Sequence, residues 1–186
     1  MTGHSALIRL LAQRSAKQGQ FTLASGKQST FYIDARLTTM SPEGLSIIGP
    51  LGVATIRKIG WDVDAIGGLT LGADPISYAI SYASAASDHP LRAFTVRKEV
   101  KAHGTGKLIE GPLRSGDRVV VIEDVITTGD SALRAIEAVR NAKASVSGLM
   151  ALVDREEGGR QAIEKTGVPV VSFVTTSEII AALTTS

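Results

Sequence analysis

Residues 119–131, Val-Val-Val-Ile-Glu-Asp-Val-Ile-Thr-Thr-Gly-Asp-Ser, restrict the fold more than any other part of the chain. Val119 to Ile122 are four β-branched side chains with no polar residue between them, the pattern of a strand covered on both faces. Such a strand needs parallel neighbours and helices above and below it. The composition agrees: 44% of the 186 residues are hydrophobic but 4% are aromatic, so the core must come mainly from Val, Ile, Leu and Ala.

The flanking sequence supplies the partners. Short apolar runs predict strands at 31–33, 63–66, 93–96, 146–153 and 170–174. Helical spacing predicts helices at 5–17, 75–86, 131–141, 156–166 and 178–183, and another from the Ser41-Pro42-Glu43 start signal to about 59. The alternation predicts an α/β chain with a mainly parallel sheet, one domain over 1–186. Residues 98–117 show no periodicity, and a stretch of that length is usually functional or disordered.

Whole function classes drop out on composition. With no cysteine there are no disulfides, thiolate nucleophiles or cysteine metal sites, and His4, His89 and His103 are too scattered for a local ligand cluster. The net charge of +2 is far from that of a nucleic-acid binder, and residues 97–107 alone carry +3 of it, leaving the remainder at −1. No apolar run can span a bilayer and no secretory core is visible, so no membrane association and a cytoplasmic location are expected.

The chemistry concentrates where the 119–122 strand ends. In open α/β sheets ligands bind beyond the carboxyl ends of the strands. Thr127, Thr128, Gly129, Asp130 and Ser131 form a small-residue turn into a helix, whose backbone N–H groups and dipole suit a phosphate. Glu123 and Asp124 would repel that phosphate directly and are better placed to accept hydrogen bonds from ribose hydroxyls. On spacing alone the turn is equally a helix cap with two solvated acids before it. It is not a Walker A loop, since Gly26-Lys27-Gln28 and Gly106-Lys107-Leu108 lack the required Ser/Thr and upstream glycine. A second candidate, Arg97-Lys98-Glu99-Val100-Lys101-Ala102-His103-Gly104, is a cationic loop able to cover a polyanion, or else simply a solvated basic loop.

Residues 119–131 resemble the phosphoribosyl diphosphate (PRPP) motif of the type I phosphoribosyltransferases. The loop from Arg97 resembles the mobile catalytic loop of the orotate phosphoribosyltransferases. So do Phe21-Thr22-Leu23-Ala24-Ser25-Gly26, with the Tyr32-Ile33 strand after it, and Leu152-Val153-Asp154-Arg155-Glu156-Glu157-Gly158-Gly159. The resemblance covers residues 21 to about 160. It departs at Ala24, where members often have lysine, at Gly68 to Pro75, where many carry a Tyr-Lys-Gly turn, and at Glu123 in place of an aspartate.

The resemblance implies a type I phosphoribosyltransferase fold: a Rossmann-like sheet, a small hood from about 1–40 and the C-terminal part, and a mobile loop at about 98–112. It implies transfer of phosphoribose from PRPP to orotate, giving orotidine 5′-monophosphate and diphosphate in pyrimidine synthesis. Arg97, Lys98, Lys101 and His103 would meet the diphosphate, with Lys101, His103 and Asp124 catalytic. Glu123, Asp124, Val125, Ile126 and residues Thr127 to Ser131 would bind PRPP, and Thr127, Arg155, Tyr32, Ile33 and Lys27 orotate. Magnesium would arrive on PRPP and touch Asp124 through water. The partners implied are the two substrates and a second copy, in a homodimer that shares the loop across subunits. Two rivals remain: a phosphoribosyltransferase for a purine, with no reason for Arg155, and a non-enzymatic PRPP-sensing regulator, for which no helix-turn-helix segment is apparent before Phe21.

Overall fold

The computed structural model describes residues 3–22, 28–99 and 108–184. Its elements, in chain order, are α1 (Gly3–Arg14), β1 (Ala16–Thr22), β2 (Gln28–Ile33), α2 (Arg36–Thr39), α3 (Pro42–Ile59), β3 (Ala65–Leu69), α4 (Ala73–Ser84), β4 (Arg92–Val96), β5 (Ile109–Glu110), β6 (Arg118–Ile126), α5 (Asp130–Asn141), β7 (Ser145–Asp154), α6 (Gly159–Glu164), β8 (Val170–Thr175) and α7 (Thr176–Thr184). The main sheet runs β5-β4-β3-β6-β7-β8, parallel except for the edge pair β4–β5, and β1–β2 is a separate antiparallel pair.

Val119, Val120, Val121 and Ile122 are all fully buried, as their run of branched side chains requires. Alternation along β6 then divides the core between the two sheet faces. Val120 and Ile122 join Leu7, Ile48, Ile80 and Ile179 under α1, α3, α4 and α7. Val119 and Val121 join Ile136, Val139 and Ile163 under α5 and α6. The α3 start reads as its sequence does: Ser41 Oγ accepts the Gly44 N–H at 3.1 Å with Pro42 in the first turn. Among the described residues, no helix is long and apolar enough to cross a membrane.

Several boundaries differ from the sequence expectation. The first helix stops at Arg14 rather than 17, because Ser15 is buried against Thr38 (2.7 Å) and residues from Ala16 pair with β2, a long-range contact that local spacing does not encode. α6 begins at Gly159 rather than 156, since Gly158 at φ 95° interrupts the turn before it. The 98–117 segment contains a strand: Ile109 and Glu110 pair with Val96 and Thr95. β6 runs on through Ile126, so Glu123 and Asp124 lie within the strand rather than beyond it.

Candidate active site

The chain leaves β3 toward β4 on one side, then returns to place β6 on the other. This reversal of strand order opens a crevice at the carboxyl ends of β3 and β6, where open α/β sheets hold ligands. Asp124 marks it from β6 and Gly72, just before α4, from the β3 side. A Cβ on Gly72 would lie 2.4 Å from the Asp124 carboxylate, so a side chain there would displace that carboxylate from its present position. Asp124 is half-buried, and its Oδ1 accepts the Val125 N–H at 2.9 Å.

Glu123, its neighbour, shares the strand face of Val119 and Val121 and is 6% exposed. Burial foremost, and then the adjacent Asp124 carboxylate, push its pKa well above the usual range. The two acids are therefore not equivalent: Asp124 faces the α4 side of the crevice, and Glu123 faces into the body of the protein.

Beyond Ile126, which is buried, the chain turns through Thr127 and Thr128 to Gly129 at φ 91° and enters α5. Gly129, at the N-cap, brings no side chain to that helix; the Thr128 hydroxyl donates to Asp130 Oδ2 at 2.9 Å, and its oxygen accepts the Asp130 N–H at 3.5 Å. The helix-cap alternative stands beside the anion reading: Thr128 supports the start of α5, while the turn at left-handed Gly129 presents further first-turn N–H groups in an arrangement that suits an anion. Thr128, Asp130 and Ser131 are exposed, whereas Thr127 and Val125 are half-buried.

Arg155 sits on the adjacent strand end. Its backbone N–H donates to Ile126 O at 3.0 Å, which fixes it beside the phosphate turn. Its side chain is nine-tenths buried, with Nε 2.8 Å from Glu157 Oε1. That contact lacks hydrogen-bond alignment, so among the described residues the Nε–H has no hydrogen-bond acceptor. Tyr32 and Ile33 lie on β2; Tyr32 packs against Phe21 (ring centroids 5.5 Å apart), and Ile33 is buried in the core.

Of the cationic loop, Arg97 Nε donates to Glu110 Oε1 at 2.9 Å and Lys98 O accepts Arg134 Nη2 at 2.6 Å. Lys101 and His103 lie outside the described residues, as does Lys27. Two features escaped the sequence reading. Asp74 ties the β3–α4 turn by accepting the Thr70 hydroxyl (2.7 Å) and the Thr95 hydroxyl (2.8 Å), with Tyr78 OH 2.8 Å from the latter. Arg36 pairs with Asp34 (2.8 and 3.0 Å), and its pKa is held up by Asp34 first and, more weakly, by Asp124. The Asp-x-Arg spacing at the head of a short helix was the available signal for that pair.

The fold and this crevice define a phosphoribosyltransferase, and residues 53–178 match the phosphoribosyl transferase domain family. The chain belongs to the orotate phosphoribosyltransferases, pentosyltransferases of pyrimidine biosynthesis. It is 46% identical over 183 residues to the orotate phosphoribosyltransferase of Aquifex aeolicus, covering 97% of this chain and 99% of that one. The Mycobacterium tuberculosis H37Rv enzyme superimposes with a TM-score of 0.83 at 39% identity, over 95% of this chain and 98% of that chain. A structure of the same mycobacterial protein in complex with PRPP gives a TM-score of 0.79 at 36% identity, over the same shares.

Proposed function

We propose a division of labour for the transfer of phosphoribose from PRPP to orotate, giving orotidine 5′-monophosphate and diphosphate. The observation that carries the choice of base is Arg155, a nearly buried guanidinium beside the phosphate turn whose Nε lies 2.8 Å from Glu157 Oε1 but has no aligned hydrogen-bond acceptor among the described residues. Orotate differs from uracil by a carboxylate, the planar acceptor that a guanidinium pairs with best. Thr127, the Tyr32-Ile33 strand and Lys27 complete the base site.

Backbone N–H groups from Thr127 to Ser131 grip the 5-phosphate, and Asp124 accepts from the ribose hydroxyls. Glu123 acts on the sugar only through Asp124, given its burial. Catalysis is positional and electrostatic: the bond from the anomeric carbon to the diphosphate oxygen breaks as the bond to the orotate nitrogen forms, and the proton that nitrogen loses leaves with the diphosphate. Lys98, Lys101 and His103 receive the diphosphate. Arg97 joins them while paired with Glu110.

The donor set fits magnesium brought in by PRPP. Asp124 is a hard oxygen donor able to hold a hydrated ion through water, and among the described residues no three His, Asp or Glu side chains converge to cage a bare one. When bound, the ion screens the charge of the diphosphate.

The active unit is a homodimer in the cytoplasm. An apolar groove of about 860 Å³ between α3 and α4, lined by Leu45, Pro50, Val53, Ala54 and Tyr82, supports a second copy there. Tyr78 borders the groove and reaches Asp74 through Thr95, so a partner on this face lies next to the crevice and can lend its loop.

The test is Arg155→Gln assayed with both substrates. Losing a charge-assisted pair worth about 1.5–3 kcal/mol raises KM for orotate on the order of 10- to 100-fold while KM for PRPP stays near wild type. An unchanged orotate KM removes Arg155 from the base site.

A further inference from the structure

Glu156, the residue after Arg155, stands at φ 60°, a left-handed conformation uncommon for a residue with a Cβ. A turn that needed only this backbone angle would be served best by glycine, as at Gly158 two residues on. The side chain is therefore the informative part. Glu156 Oε2 accepts both the N–H (2.9 Å) and the hydroxyl (2.6 Å) of Ser177 in the first turn of α7. Its own N–H donates to Asp154 Oδ1 at 2.8 Å. Asp154 also accepts Arg160 Nε at 2.9 Å, and that guanidinium continues to Val170 O (3.0 Å) and Ser172 Oγ (2.9 Å) on β8.

The Arg155 turn is thus tied on one side to β8 and on the other to α7. Helix α7 packs on α1, and α1 runs through Ser15 into the β1–β2 hairpin that carries Tyr32 and Ile33. We propose that Glu156 is a positioning residue: through Ser177 it locks the turn presenting Arg155 and sets that arginine in register with the N-terminal hairpin across the base site. This rests on the assignment of Arg155 to the orotate carboxylate. Because the Glu156 carboxylate is exposed, its effect is moderate.

The experiment compares Glu156→Gly, which suits the backbone angle but cuts the ties to Ser177, with Glu156→Gln, which keeps an acceptor oxygen. Glu156→Gly raises KM for orotate about fivefold, with kcat and KM for PRPP within about twofold of wild type. Glu156→Gln restores orotate KM, and in an Arg155→Gln background Glu156→Gly adds no further loss. An unchanged orotate KM, an equal loss in the Arg155→Gln background, or a matched decline of kcat and affinity for both substrates overturns the positioning role alone. An Arg155→Gln single variant with normal orotate KM instead overturns the arginine assignment, and this proposal with it.

Discussion

At the scale of single residues, the site depends on close approach as much as on chemistry. Gly72 carries no reactive group, yet its missing side chain gives the Asp124 carboxylate its seat. Gly72→Ala is expected to leave a folded protein in which Asp124 has been pushed from the crevice. Steady-state assays should show kcat/KM for PRPP down on the order of 100-fold, the scale of an ångström misplacement. The pair Glu123-Asp124 shows where residue-level reading fell short. Two adjacent acids suggest one function, but within a strand they face opposite ways, and this sequence does not mark where the strand stops. The turn itself was legible from its small residues and glycine, but the choice between an anion site and a helix cap was not, because both use the same residue types at a strand–helix junction.

At the scale of elements, an ion pair helps secure the segment entering β6. Asp117 accepts Arg92 Nη1 and Nη2 (2.9 and 2.8 Å) and the Arg114 N–H (2.7 Å), joining the start of β4 to the approach of β6. Burial pulls the Asp117 pKa up, but the Arg92 and Arg114 hydrogen bonds outweigh it and leave the pKa below the usual carboxylate value. The folded-state pKa lies below the unfolded value of about 3.9, so the pair's stabilisation is present above that pH and is lost as pH falls through the folded value. Asp117→Ala should cost about 3 kcal/mol near neutral pH, lowering Tm by ~6–12 °C in thermal melts, and the gap to wild type should narrow below pH ~4. The parallel strands were readable from their apolar runs, and α3 from its cap and proline. β1 and β5 were not: Ala16–Thr22 is polar and exists by pairing with β2, and β5 is two residues held by β4.

At the scale of the whole molecule, the candidate crevice and the α3–α4 groove are linked through Asp74, Thr95 and Tyr78. If that groove seats a second copy, charges placed in it separate the dimer. Ala54→Glu with Tyr82→Glu is expected to shift sedimentation from dimer to monomer and to lower turnover with it; a wild-type sedimentation coefficient moves the interface elsewhere. The small net charge takes on meaning at this scale too, since a nearly neutral body with a cationic stretch at 97–107 suits a diphosphate rather than a nucleic acid. The most direct test of the central claim follows the ultraviolet absorbance of orotate after addition of PRPP and magnesium to the purified protein, with adenine and hypoxanthine in parallel. Consumption of orotate with release of diphosphate, and no turnover of either purine, is the predicted result. Purine turnover with orotate untouched, or folded protein that consumes neither base, would contradict it.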